Sequence, residues 1–174
     1  MITKEITRRL FGWFTGISAA VCLVVTLYIV ATVKISSGIP PLAFNDVTSK
    51  SIETRLGLAQ TLFQLTILMI GALWGLLIAE KDEIKLVFAQ YSEVVMFISA
   101  SAVLLLSISA YAFYLNKLSS QFADAGSLGN LGETLYIPDI FDQNINYLFI
   151  LQIVGLIVGT VNGLLTLLST HRLR

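Results

Sequence analysis

The chain has 174 residues, of which 56% are apolar and only 13% charged, with a mean hydropathy of +0.82 and a formal net charge of zero. A soluble domain carries about 25% charged residues, so half the expected charge is missing, and what remains is clustered between long apolar runs. These proportions exclude an ordinary soluble domain, and the zero net charge excludes a global attraction to nucleic acid.

A bilayer core of about 30 Å needs roughly 20 apolar residues at about 1.5 Å each. Four runs meet that length, and none contains Asp, Glu, Lys or Arg. The fold expected is an all-α membrane protein, a single domain over residues 1–174 with four transmembrane helices in a bundle. The first span covers residues 11–33. Its basic start (Lys4, Arg8, Arg9) resembles a secretory signal, but its apolar core is well beyond the usual length of about 7–15 residues. No small-x-small cleavage pattern precedes Ser36-Ser37-Gly38, so the segment reads as an uncleaved anchor. Cys22 stands alone inside this span, which leaves no intrachain disulfide and suits a small buried apolar residue.

An outer loop over 35–55 follows, with Pro40-Pro41 favouring an extended start. The second span covers 56–79 and contains GALWG, and the third covers 94–115. Between them an inner loop, 80–93, reads EKDEIKLVFAQYSE. The second outer loop, 116–146, has a Gly/Ser-rich half, ADAGSLGNLG, and then TLYIPDIFDQN. The fourth span covers 147–168 and stops before His171 and Arg172.

Orientation follows from the basic residues. Lys4, Arg8, Arg9, Lys81, Lys85, Arg172 and Arg174 sit in short segments on one side, whereas Lys34, Lys50, Arg55 and Lys117 are spread over two longer loops on the other. Short basic loops stay inside, so both termini are expected in the cytoplasm and the protein in the cell inner membrane.

The fourth span carries GLIVGTVNG, residues 155–163. At about 100° per residue, Gln152, Gly155, Gly159, Asn162, Gly163 and Thr166 share one face, with Ile153, Ile157, Val161, Leu164 and Leu168 opposite. Lipid tails are as apolar as Leu, so membrane helices associate through small residues that let backbones approach and through polar side chains that bond across. The other spans repeat the device: Gly12, Thr15, Gly16, Ala19 and Thr26 in the first, and Gly57, Gln60, Thr61, Gln64, Gly71, Gly75 and Ala79 in the second. In the third, Ser92, Ser99, Ala102, Ser107, Ser109 and Ala110 share a broad side, and Ser101 falls off it. The stripes, above all Gln64, Gly71, Gly75 and the six residues of the fourth span, are expected at the contacts of a tight bundle that also forms a homo-oligomer, with a tetramer as the assembly. Whether each faces its own bundle, a neighbouring subunit or a wet lumen is open at this level.

In the outer loop Tyr136, Pro138, Asp139, Phe141 and Asp142 mix aromatic and apolar residues with acids, which suits a contact surface, a segment on the headgroups or a lid over the bundle's own mouth. On the inner side Arg8, Arg9, Glu80, Lys81, Asp82, Glu83 and Lys85 form a charged rim suited either to a soluble protein partner or to simple solvation.

No catalytic set converges. One histidine and one cysteine give no metal spacing, and no phosphate or dinucleotide motif is present. No charge sits mid-membrane to relay protons. An enzyme, a cofactor, a metal and direct nucleic-acid binding are all unexpected. In its small size, four spans, internal termini, modest outer loops and bundle stripes, the whole chain resembles the membrane subunit of the Kiwa anti-phage defence system, without a motif that matches residue by residue. The resemblance implies a homo-oligomeric inner-membrane sensor of phage attack that works with a cytoplasmic, DNA-binding partner subunit. The expected function is a non-enzymatic sensor or scaffold that relays a membrane disturbance to a cytoplasmic partner. The alternative is a pore-forming or permeabilising effector with Gln64, Asn162 and Thr166 facing a lumen, and a third reading is a membrane enzyme or lipid-binding protein that uses Asp139 and Asp142.

Overall fold

The computed structural model describes residues 2–32, 42–43, 46–79, 86–88, 90–128, 136–137 and 143–171. Hydrocarbon offers backbone groups no hydrogen bonds, so a spanning chain satisfies them internally as helix. Four long helices result: α1 (Ile2–Thr32), α2 (Asp46–Leu77), α3 (Tyr91–Leu128) and α4 (Gln143–His171), with two short strands, β1 (Leu42–Ala43) and β2 (Tyr136–Ile137). Each helix contains a segment apolar and long enough to cross a membrane: Arg9–Ile29, Ser49–Leu77, Tyr91–Ser120 and Ile145–Thr170.

All four helices outrun the apolar spans. α2 starts at Asp46, within the expected outer loop 35–55, and α3 continues to Leu128, within the expected loop 116–146. α3 also takes Tyr91–Glu93 from the expected inner loop 80–93, and α1 is helical from Ile2 rather than from residue 11. Apolar content marks where hydrocarbon ends, whereas a helix continues as long as its polar residues suit it. In α2 Ser51 and Thr54 donate to the carbonyls of Val47 and Lys50 at 2.8 and 2.7 Å, and Asp46 sits in the first turn, where the helix dipole favours an acid.

α3 is the hub. It packs most extensively on α4, then on α1 and α2, while α1 and α2 lie chiefly on the α3–α4 pair and scarcely on each other. Half of the membrane-length segment of α3 is buried (50%), against 17% of that of α2. Cross-contacts give an up-down-up-down bundle. Gly12 and Gly16 of α1 meet Ser92 and Val95 of α3 in parallel, and Gly155 and Gly159 of α4 meet Ser107 and Leu104 of α3 antiparallel. β1 pairs antiparallel with β2, Leu42 opposite Ile137 and Ala43 opposite Tyr136, so the two longer connections meet at one end of the bundle.

The core has two apolar clusters. Ala59, Tyr114, Leu118, Ile145 and Leu148 fill the end near the strands, and Leu73, Leu86, Phe97 and Ala100 fill the other. At that second end the chain folds back under α2, where the Leu86 N–H donates to the Leu76 carbonyl at 2.8 Å. The outer surface is apolar to an extent that water would not tolerate, with Trp13, Phe14, Val24, Leu27, Leu68, Ile98, Ile157 and Leu164 among the exposed side chains. The protein is a multi-pass membrane protein, a four-helix bundle with lipid around it.

Candidate functional site

The small and polar stripes divide into two kinds, and their surroundings distinguish them. The α4 stripe is interior: Gln152, Gly155, Gly159, Asn162, Gly163 and Thr166 are all buried. A Cβ added to Gly155 would lie 3.0 Å from Ser107 Cβ and 3.2 Å from its Cα, and one on Gly159 would lie 2.6 Å from Leu104 Cγ. These glycines let α3 and α4 approach backbone to backbone. At Gly163 the nearest atom, Leu73 Cδ1, would be 3.9 Å away, so the need for glycine there is slight.

Polar bonds run through the same seam. Gln152 Nε2 donates to the Ala59 carbonyl of α2 at 2.8 Å, and Ser107 Oγ donates to the Gln152 carbonyl at 2.7 Å. Thr66 Oγ1 lies 3.4 Å from Ser107 Oγ, which joins α2, α3 and α4 at one level. Farther along, Asn162 Nδ2 donates to Ser18 Oγ of α1 at 3.0 Å. Thr166 bonds back to the Asn162 carbonyl at 2.8 Å, as hydroxyls in membrane helices do. Asn162 and Thr166 therefore do not face a lumen within this chain, which corrects the pore lining expected for them.

The α2 stripe behaves oppositely. Gly57, Gln60, Thr61, Gln64, Gly71 and Gly75 are all exposed, and no atom lies within 4 Å of a Cβ built on any of the three glycines. Gly71 and Gly75 thus make no close approach to another helix of the bundle and Gln64 is exposed, because α2 turns Leu73, Phe63 and Leu56 inward. Thr61 satisfies its hydroxyl on the Gly57 carbonyl at 2.9 Å. A glutamine cannot close that short loop, and Gln64 lies in the middle of the Ser49–Leu77 segment with no side-chain hydrogen bond among the described residues.

In α3 the expected one-sided arc is corrected as well. Ser101 is buried together with Ser99 and Ser107, while Ser109 is exposed and bonded to the Leu105 carbonyl at 3.0 Å. α3 has neighbours on several flanks and keeps a narrow exposed strip through Ile98, Leu105, Ser109 and Phe113, so one stripe of small residues does not describe its buried side.

Several contacts carry no periodic signal and escape a sequence reading. Arg55, read only as a loop charge, belongs to α2 and donates through Nη2 to Asn146 Oδ1 of α4, with its guanidinium 4.9 Å from the centre of the Phe149 ring. Ser18 meets Asn162 although it lies beside the Gly12–Gly16 arc, and Glu93 is buried in the first turn of α3.

Of the outer contact residues, Tyr136 lies in β2, and Pro138, Asp139, Phe141 and Asp142 fall outside the described residues. Of the inner rim, Arg9 is exposed on α1, the Arg8 side chain falls outside the described residues, and so do Glu80, Lys81, Asp82, Glu83 and Lys85. Among the described residues no three His, Cys, Asp or Glu side chains cluster as metal ligands would.

No family model matches the chain, and no curated protein or solved structure matches it either.

Proposed function

We propose that the chain is a non-enzymatic sensor or scaffold of the bacterial inner membrane, assembled from copies of itself through the outward face of α2. It relays a disturbance of the envelope, such as phage infection, to a soluble partner in the cytoplasm. The observation that carries the assembly is Gln64. It stands mid-span on an exposed face with three glycines at which an added Cβ would meet no atom within 4 Å. An amide in hydrocarbon needs partners, and the same amide on a second copy offers both a donor and an acceptor. Glycines beside it give the close approach that such a bond requires.

The distribution of lysine and arginine supports cytoplasmic termini, and with them a cytoplasmic rim of Arg8, Arg9, Glu80, Lys81, Asp82, Glu83 and Lys85 as the place where a partner docks. The resemblance to the Kiwa membrane subunit supplies the phage-sensing part of this reading. Reversing the charges at Glu80, Asp82 and Glu83 is expected to uncouple signalling and leave membrane insertion intact.

The deciding experiment is the mass of the protein in nanodiscs, for the wild type and for Gln64→Leu and Gly71→Leu. A defined oligomer that dissociates in both variants is expected. A monomeric wild type, or an oligomer indifferent to both changes, overturns assembly through α2.

A second reading rests on the same face. Gln60, Thr61 and Gln64 project outward from α2 over about one turn, so a ring of copies that turned α2 inward would enclose a polar lumen. Planar-bilayer recordings distinguish the two: a pore conducts and changes conductance in Gln64→Leu, whereas a sealed scaffold stays silent.

A further inference from the structure

Between α2 and α4, at the strand-side end of the bundle, lies a groove of about 700 Å³. That is within the range of roughly 300–1,000 Å³ found for small-molecule sites. Its α2 wall runs from Asp46 to Leu58, and Phe149 of α4 closes it from the other side. The apolar segments of the two helices begin at Ser49 and Ile145, so Asp46 and Lys50 stand at the edge of the hydrocarbon. Leu58 lies about 12 Å deeper than Lys50, at about 1.5 Å per residue.

The polar groups of the lining are of two kinds. Ser51 and Thr54 donate to the Val47 and Lys50 carbonyls of their own helix at 2.8 and 2.7 Å. Arg55 donates to Asn146, and its guanidinium lies 4.9 Å from the centre of the Phe149 ring, so it forms part of the wall and takes no part in recognition. Asp46 and Lys50 differ. Both are exposed, and neither side chain has a hydrogen bond or an ion pair among the described residues, with the other or with any third group. One helical turn apart on the same face, they present a carboxylate and an ammonium side by side above the apolar Leu58 and Phe149.

We infer that this groove binds a zwitterionic phospholipid whose head carries a primary ammonium, as phosphatidylethanolamine does, in the leaflet at the strand end. Lys50 donates to the phosphate, the lipid ammonium donates to the Asp46 carboxylate, and one acyl chain lies along Leu58 and Phe149. The ethanolamine head holds its opposite charges at the two ends of a short ethylene link, which suits two side chains one turn apart, and both hydrogen bonds are charge-assisted. An anionic head brings a phosphate for Lys50 but no donor ammonium for Asp46, and its negative charge is repelled there. A choline head has no N–H to give a carboxylate and is recognised through aromatic faces, and Arg55 already covers a face of the Phe149 ring.

Native mass spectrometry of the full chain in detergent tests this, with phosphatidylethanolamine, phosphatidylglycerol and phosphatidylcholine of identical acyl chains titrated in parallel. The wild type is expected to retain phosphatidylethanolamine about fivefold more than either of the others, the upper end of what one exposed ion pair supports. Asp46→Asn abolishes the preference, Lys50→Gln lowers retention of all three lipids, and Leu58→Trp does the same by filling the deep end. Glu53→Gln removes an exposed acid of the same helix end that does not line the groove, and it leaves the preference intact. The substituted residues are all exposed, and circular dichroism confirms the fold of each variant. Equal retention of the three lipids by the wild type overturns the proposal. So does a preference that survives Asp46→Asn or is lost equally in Glu53→Gln, or a groove that holds lipid only when the protein is monomeric because a second copy otherwise fills it.

Discussion

Gly159 of α4 and Leu104 of α3 are packed so closely that a methyl group on the glycine would lie 2.6 Å from the leucine Cγ and 3.2 Å from its backbone nitrogen. Gly155 is as constrained, because its neighbour is the Cβ and backbone of Ser107, which cannot rotate away. Gly155→Ala and Gly159→Ala are expected to destabilise the bundle by about 1–3 kcal/mol each, the cost of overpacking a close contact. Gly163→Ala, with only Leu73 Cδ1 at 3.9 Å, should be neutral or slightly stabilising. Unfolding of the three variants in detergent, by denaturant titration, gives the ranking.

The α2 glycines yield the opposite expectation. With open space around Gly57, Gly71 and Gly75, alanine at each leaves the folding stability of a single subunit unchanged or improves it by up to about 1 kcal/mol through helix propensity. Their effect appears only in association: Gly71→Leu shifts the oligomer toward monomer at a given protein-to-lipid ratio, and Gly159→Leu lowers stability of the subunit itself. Measuring both quantities on both variants separates a subunit seam from a bundle seam.

The difference between these two stripes marks where the sequence stops being informative. Composition and run length suffice for four helices and for the lipid-facing Ile157, Val161 and Leu164 of α4, because the bilayer acts on every residue according to its polarity alone. A glycine at helical spacing says that a backbone is approached, and the same pattern in α2 and α4 gives no indication of which helix approaches it. That choice depends on the other helices, and only the packing of α3 at the centre settles it for Gly155 and Gly159. The helix ends were hidden for a related reason: polar residues such as Ser51 and Thr54 end an apolar run without ending a helix. Ser101 lies off the arc of small residues and is buried all the same, because α3 has neighbours on several flanks.

Asn162 and Ser18 provide the tie between α4 and α1, with the amide nitrogen 3.0 Å from the hydroxyl. Interhelical hydrogen bonds in membranes average only about 0.6 kcal/mol, because the separated helices find other partners. A double-mutant cycle with Ser18→Ala and Asn162→Ala should therefore give a coupling near that value and well below about 2 kcal/mol. Gln152 differs, since its side chain is fully buried and fills space as well as donating to Ala59. Gln152→Leu keeps most of the volume and costs about 1 kcal/mol, whereas Gln152→Ala opens a cavity and costs about 2–5 kcal/mol. If the two were equal, the hydrogen bond rather than the packing would hold this position.

Arg55 closes the strand-side end of the bundle through two partners on α4, a hydrogen bond to Asn146 and the face of Phe149. The Phe149 ring is also 6.1 Å from that of Tyr114, which belongs to the apolar cluster beneath. A guanidinium over an aromatic face is worth about 0.5–2 kcal/mol depending on how dry the site is, and here the arginine is half-buried. Arg55→Lys keeps the charge but loses the planar fork that serves both partners at once. It is expected to destabilise the bundle by about 1 kcal/mol, and Phe149→Leu, which preserves bulk but removes the ring face, by a similar amount. Because both changes remove one shared contact, the double variant should cost clearly less than the two single costs together. Thermal unfolding of the four proteins in one detergent checks this, and strict additivity would mean that Arg55 and Phe149 act independently.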